Sequence, residues 1–244
     1  MKKVKKLFTA LSLLVASKDA TSIALPATVN FPVRSKPSEN NVFDKLKTAP
    51  YHFTKSVGAD LDTGSNLANF RNTNANDRLK RMAVLIKDYA KANNYSLEYC
   101  FLVDMSIPSG KNRFFVYNMR KDSLEFAALV AHGFGSTQKD CGDQLVFSNN
   151  NYSFKTSLGK YKIGKPYKGQ YGLSYKLYGL DSTNNKAFER AIVLHSDQHV
   201  PDKETFPGKI FQSAGCPTVS PSFLPILGSF IKSSQKPILM WIYS

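Results

Sequence analysis

Cysteine, histidine and tryptophan are all scarce in this chain. Three Cys in 244 residues exclude a small disulfide-framed scaffold, which needs several paired half-cystines. Only four His are present. His132, His195, His199 and Cys216 follow no common zinc-ligand spacing, and His52 stands in a stretch without other chemical signals, so neither a metal nor another cofactor is expected. A single Trp stands against 17 Phe and 12 Tyr, a balance that leans toward β structure. No apolar run approaches the roughly twenty residues that cross a bilayer, and there is neither an internal repeat nor a low-complexity tract. Acidic residues are few, 18 against 33 Lys and Arg, for a formal net charge of +15. Such a chain is drawn to polyanions, among them wall polymers, lipid phosphates and nucleic acids. The lysines are scattered in sequence, which argues against a nucleic-acid partner.

The start is a run of lysines, Lys2, Lys3, Lys5 and Lys6, followed by an apolar stretch over 7–16 and small-x-small sites at 15–17 and 22–24. This is the layout of a cleaved secretory signal over 1–24, with periplasmic or secreted destination and no stable membrane insertion afterwards. Residues 25–75 carry Pro26, Pro32, Pro37 and Pro50 among polar residues and read as a linker or arm. From 76 to 244 the pattern is that of a folded unit. Leu79, Met82, Ala83, Ile86 and Ala90 predict a helix over 77–91. Short apolar runs predict strands at 99–105, 113–119, 124–131, 158–163, 173–180, 191–195 and 237–243. Helical patterns follow at 181–189 and 221–233. An oxidising compartment would permit a Cys100–Cys141 disulfide with Cys216 free. The other reading makes Cys100 a buried apolar residue and Cys141 a loop thiol.

Two residues stand out chemically. Cys216 lies in Ser213-Ala214-Gly215-Cys216-Pro217, where the chain must turn sharply, and His195 ends the apolar run Ala191-Ile192-Val193-Leu194. A thiol attacks as thiolate and needs a neighbour to take its proton, and an imidazole fixed at a strand end supplies one. Amides at Gly215 and Cys216 are candidates to hold an oxyanion. The plainer reading is a structural thiol and a satisfied strand-end histidine. His132, opening the loop with Gly133 and Gly135, reads either as a pocket residue or as a loop histidine tied to backbone.

His195-Ser196 with Ser213-Ala214-Gly215-Cys216-Pro217 resembles the signature of the L,D-transpeptidase catalytic domain, in its divergent murein branch with a Ser-x-Gly-Cys-Pro motif. Val130-Ala131-His132-Gly133, Phe147-Ser148-Asn149, Ser157-Leu158-Gly159-Lys160-Tyr161 and the stretch 178–195 carry the likeness over roughly residues 101–243. The resemblance implies a mainly β fold, a β-sandwich with a few peripheral helices behind an N-terminal helical or linker segment. It implies acyl transfer on peptidoglycan stem peptides through a Cys216 thioester, with His195 as base, the Ser196 carbonyl orienting it and Gly215 in the oxyanion hole. His132, Gly133, Ser213 and Tyr161 would line the substrate site. The acceptor would be a second stem, an outer-membrane lipoprotein, a D-amino acid or water, and a carbapenem would acylate the thiol. The chain departs from the family where Ala214 replaces a frequent His and Thr218 a frequent Asn or Arg. A wall-binding module without turnover, or a thiol peptidase or amidase cutting the same bond, would share these features.

Overall fold

The computed structural model describes residues 75–137 and 144–244. The expected signal and arm, apart from Ala75, and Cys141 lie outside them. The first element is helix α1 (Ala75–Ala92), which buries Leu79, Ala83, Ile86 and Ala90 as one stripe. Eight strands follow: β1 (Tyr99–Asp104), β2 (Phe114–Asn118), β3 (Ser123–Ala128), β4 (Gly159–Gly169), β5 (Gly172–Gly179), β6 (Val193–Ser196), β7 (Thr218–Val219) and, after helix α2 (Phe223–Ser233), β8 (Leu239–Tyr243). They form one continuous sheet in the order β3-β2-β1-β8-β4-β5-β6-β7. Pairing is antiparallel except at β1/β8 and β6/β7.

Strand alternation sorts the side chains into two layers. Phe101 and Val103 on β1, Phe114 and Val116 on β2, Met240 and Ile242 on β8, Tyr161 and Ile163 on β4, Tyr175 and Leu177 on β5, Leu194 on β6 and Val219 on β7 share one core with α2. Phe114 meets Phe223 of that helix edge to face, ring centroids 5.5 Å apart. The opposite face of β1, β2 and β8, with Cys100, Leu102, Phe115, Tyr117 and Leu239, is covered by the α1 stripe. Cys100 is thus a fully buried free thiol, its pKa pushed far up by burial.

The sheet curls until its two edges meet. The chain leaves edge strand β3 at Ala128, and three residues later the Ala131 amide donates to the Thr218 carbonyl of the other edge strand, β7. That closure explains why all eight strands feed one core, and it sets the site.

Three elements differ from the sequence pattern. Strand β7, only two residues long, has no apolar run to announce it. Strand β4 runs on to Gly169, absorbing Pro166 through a register shift between Ile163 and Pro166; the exposed lysines there hide a strand from an apolar-run criterion. Residues 181–191 form successive turns rather than a helix. The buried Asn184 explains this, since its side chain accepts from the Asp181 amide and donates to the Lys160 carbonyl, competing with helical bonding.

Candidate active site

The loop that carries Cys216 is clamped at both ends by the crossing segment after β3. Ser213 donates its amide to the His132 carbonyl, Phe134 donates to the Ser213 carbonyl, and Ala131 donates to Thr218. Within the loop the Ser213 hydroxyl donates to the Cys216 carbonyl at 2.6 Å and accepts the Gly215 amide at 3.1 Å. Gly215 sits at φ +120, backbone that a residue with a Cβ rarely adopts. Ser213 is therefore a builder of the turn, and the Gly215 amide is already committed to it.

Gly133 lets the two segments touch. A Cβ there would lie 2.2 Å from the Phe154 carbonyl oxygen and 2.8 Å from the Gly215 Cα. Both obstacles are backbone, so Gly133→Ala is expected to push the thiol loop out of place. The expected outcome is a loss of about 1–3 kcal/mol in thermal unfolding, together with slower turnover.

Cys216 is half-buried. Its Sγ accepts the Val193 amide at 3.4 Å and lies 3.8 Å from the Ala191 carbonyl oxygen. Burial pushes the thiol pKa up, while the Val193 amide and the nearby Arg190 guanidinium pull it down. Arg190 is fixed in turn by the Ser148 and Lys155 carbonyls and the Ser157 hydroxyl. Ala191, beside the sulfur, has φ +55, a strained value for a residue with a Cβ.

His195 is buried on β6. Its Nδ1–H donates to the Ser196 carbonyl at 3.1 Å, so Nε2 carries the lone pair, and it accepts from the Thr218 hydroxyl at 3.0 Å. Burial lowers its pKa, opposed by the Ser196 carbonyl and Asp197. The exposed Tyr171 stacks on the ring at 4.3 Å. Parallel pairing of β6 with β7 puts His195 opposite Thr218, and the sulfur bonds to Val193, two residues back along β6. The sulfur thus lies beside β6 at Val193, two residues before His195, and each group is hydrogen-bonded elsewhere.

His132 is built into a buried polar network. Arg113, also buried, donates to its Nδ1 at 2.8 Å and to the Val130 carbonyl at 2.8 Å, leaving the His132 Nε2–H to the Thr137 hydroxyl at 3.1 Å. Burial first, then Arg113 and Lys209, push the imidazole pKa down to about 3. An unfolded histidine titrates near 6.5. Below that pH the unfolded chain takes a proton that the folded chain refuses, so stability present above 6.5 is lost as pH falls toward 3, at up to about 1.4 kcal/mol per pH unit. His195, also shifted down, acts in the same direction. Urea midpoints measured from pH 7 to 4 should fall steeply, and His132→Gln should flatten the slope while leaving the share due to His195.

Tyr161 is fully buried in the core and donates its phenol to the Ser157 carbonyl at 2.7 Å. Among the residues singled out in sequence, Cys216, His195, Ser196, Ser213, Gly215, Gly133 and His132 come together around this loop, and Tyr161 lies beneath it in the core. The sequence reading did not weigh Arg190, Arg113 or Tyr171. Their signals are a cation before a strand, a cation at the start of an apolar run and a tyrosine in a Gly-flanked hairpin, none specific alone. Among the described residues no three His, Cys, Asp or Glu side chains gather as a metal site requires.

Residues 71–243 match the L,D-transpeptidase catalytic domain family. No curated protein matches the chain. Among solved structures, the helical cell shape determining protein Pgp2 from Campylobacter jejuni is similar at 14% identity, covering 65% of this chain and 55% of that one, with a TM-score of 0.39. Bd1075 from Bdellovibrio bacteriovorus is similar at 16% identity over 62% of this chain and 49% of that one, TM-score 0.38. An L,D-transpeptidase from Mycobacterium tuberculosis H37Rv is similar at 12% identity over 60% and 58%, TM-score 0.30. The chain spans about half the length of the first two of these solved chains.

Proposed function

Because the chain belongs to the L,D-transpeptidase catalytic domain family, we propose that it is an exported cysteine acyltransferase acting on peptidoglycan stem peptides. The observation that carries this reading is the meeting of β6 and β7, which brings a half-buried loop thiol against β6 at Val193, two residues from an imidazole oriented by the Ser196 carbonyl. The signal over 1–24 would deliver it, residues 25–75 would serve as an arm, and 76–244 would be the catalytic unit.

At rest both groups are neutral, because burial raises the thiol and lowers the imidazole. The base must therefore take the proton as attack occurs. In the Michaelis complex Cys216 rotates toward His195, and Nε2 exchanges the Thr218 hydroxyl for the thiol proton. The sulfur bonds to the carbonyl carbon of the diaminopimelate residue in a tetrapeptide stem. The oxyanion is met by the Cys216 amide, since that of Gly215 is held by Ser213. The carbon–nitrogen bond then breaks, His195 returns its proton to the leaving D-Ala amine, and a thioester remains. An acceptor amine, or water in a carboxypeptidase reaction, attacks the thioester. It gives its proton to His195, which reprotonates the departing sulfur. Arg190 supplies the positive field that favours sulfur anion while it lasts.

Turnover of a disaccharide-tetrapeptide by the purified mature protein, followed by release of D-Ala, tests the reading. Release that depends on Cys216 supports it. A folded, reduced protein that releases none overturns it in favour of a wall-binding module without turnover.

A further inference from the structure

Strand alternation places the imidazole and a cluster of lysines on the same face of the sheet. Tyr175 and Leu177 of β5 and Leu194 of β6 point into the core. Their neighbours Ser174, Lys176, Tyr178, Val193 and His195 therefore share the opposite face, where Ser174, Val193 and His195 are covered and Lys176 is exposed. Ser174 pairs with His195, Lys176 with Val193, and Lys162 with Tyr178. Lys176 thus stands two residues from the register of His195, about 6–7 Å along the strand.

Here a groove of about 450 Å³ is lined by Lys162, Lys165, Tyr167, Lys176 and Tyr178, and none of its lining residues is acidic. Two of its three ammonium groups lie over rings. Lys162 Nζ sits 4.8 Å from the Tyr178 centroid, and Lys176 Nζ 5.6 Å from Tyr167 and 5.1 Å from Phe188. Tyr178 and Phe188 stack at 5.3 Å. Lysines that look scattered in sequence are thus collected by the β4–β5 hairpin and interleaved with aromatic platforms. Fixed cations meet carboxylates or phosphates, and ring faces meet the apolar faces of sugars. Without residues 1–24, which hold five Lys and one Asp, the chain keeps a net charge of +11, which strengthens capture of an anionic polymer.

We infer that this groove binds a peptidoglycan strand, its rings against the sugars and its ammonium groups against the carboxylates of the stems, and holds it along the face of β4–β5–β6 opposite the core, so that a stem hanging from the strand reaches Cys216. The identity of the polymer rests on the function proposed above, whereas binding is read without turnover. The experiment is cosedimentation of mature Cys216→Ala protein with purified peptidoglycan sacculi at low and high salt. Adding Lys162→Gln and Lys176→Gln should weaken low-salt binding about tenfold, or about 1.4 kcal/mol, and 0.5 M salt should weaken the parent comparably. Removing the same charge at the exposed Lys203 and Lys232 should change binding by less than about twofold. Equal loss from both pairs, an unaffected Lys162/Lys176 pair, or a parent that does not sediment with sacculi would each overturn the inference. A protein that binds sacculi through the groove but turns over no stem would refute the acyltransferase reading alone.

Discussion

Cys216→Ala is expected to remove stem-peptide turnover by on the order of 10⁴-fold or more, with little effect on folding. The loss is large because the covalent route disappears with the nucleophile, and no other thiol can replace it within the described residues: Cys100 is sealed between α1 and the sheet. Folding should change by only about 1 kcal/mol, since the sulfur makes weak contacts to the Val193 amide and Ala191 carbonyl. The loop itself is held by Ser213 and by the crossing segment 131–134, neither of which involves the sulfur. Circular dichroism and thermal melting alongside a D-Ala release assay separate the two effects. A variant that still releases D-Ala near the parental rate would show that Cys216 is not the nucleophile.

His195→Gln is expected to slow acylation by about 10²- to 10⁴-fold, the usual contribution of a positioned base. The thiol pKa lies above its ordinary value, so at pH 7 almost no thiolate preexists and the missing base is felt in full. His132 offers no substitute. Its Nδ1 lone pair is occupied by Arg113 and its Nε2–H by Thr137, and its pKa is held down to about 3. The pH profile adds a signature that a merely structural change would not reproduce. In the parent, kcat/KM should rise with pH as His195 loses its proton, with a midpoint below the ordinary 6.5 because burial favours the neutral ring. In His195→Gln that acid limb should vanish and the rate should climb only as the thiol ionises. Rapid-quench measurement of acylation between pH 4.5 and 10 reads both.

The candidate residues of the site are more legible in sequence than their geometry. Cys216 and His195 announce themselves through local context, a Gly-Cys-Pro turn and an imidazole at the end of an apolar run. Gly133 is legible only through the His-Gly pair of the resemblance, and the close approach that demands a glycine there is visible in the structure alone. What sequence could not show is how the remaining bonds are spent. The Gly215 amide was expected to be available for an oxyanion, yet Ser213 two residues earlier takes it. His132 reads in sequence as either a pocket or a backbone-tied residue, and burial together with Arg113, nineteen residues away, keeps it neutral with its lone pair on Nδ1, through contacts that no periodicity encodes. Long-range partners of this kind arise from the curl of the sheet, which joins the segment after β3 to β7. The same limit applies to the fold. Helix α1 was read almost to its ends from its stripe. The far half of β4 was missed because Lys165 and Pro166 sit on an exposed hairpin, and a buried Asn184 unmade the helix that the pattern over 181–189 implies.

The central claim is that Cys216 carries the acyl group, and intact-mass spectrometry of the mature protein mixed with a carbapenem and, separately, with a tetrapeptide stem tests it most directly. The account predicts a covalent adduct on the parent that maps to the peptide containing Cys216 and is absent from Cys216→Ala, with slower formation in His195→Gln. A folded, reduced parent that gains no mass from either acyl donor, or an adduct that persists in Cys216→Ala, would contradict it.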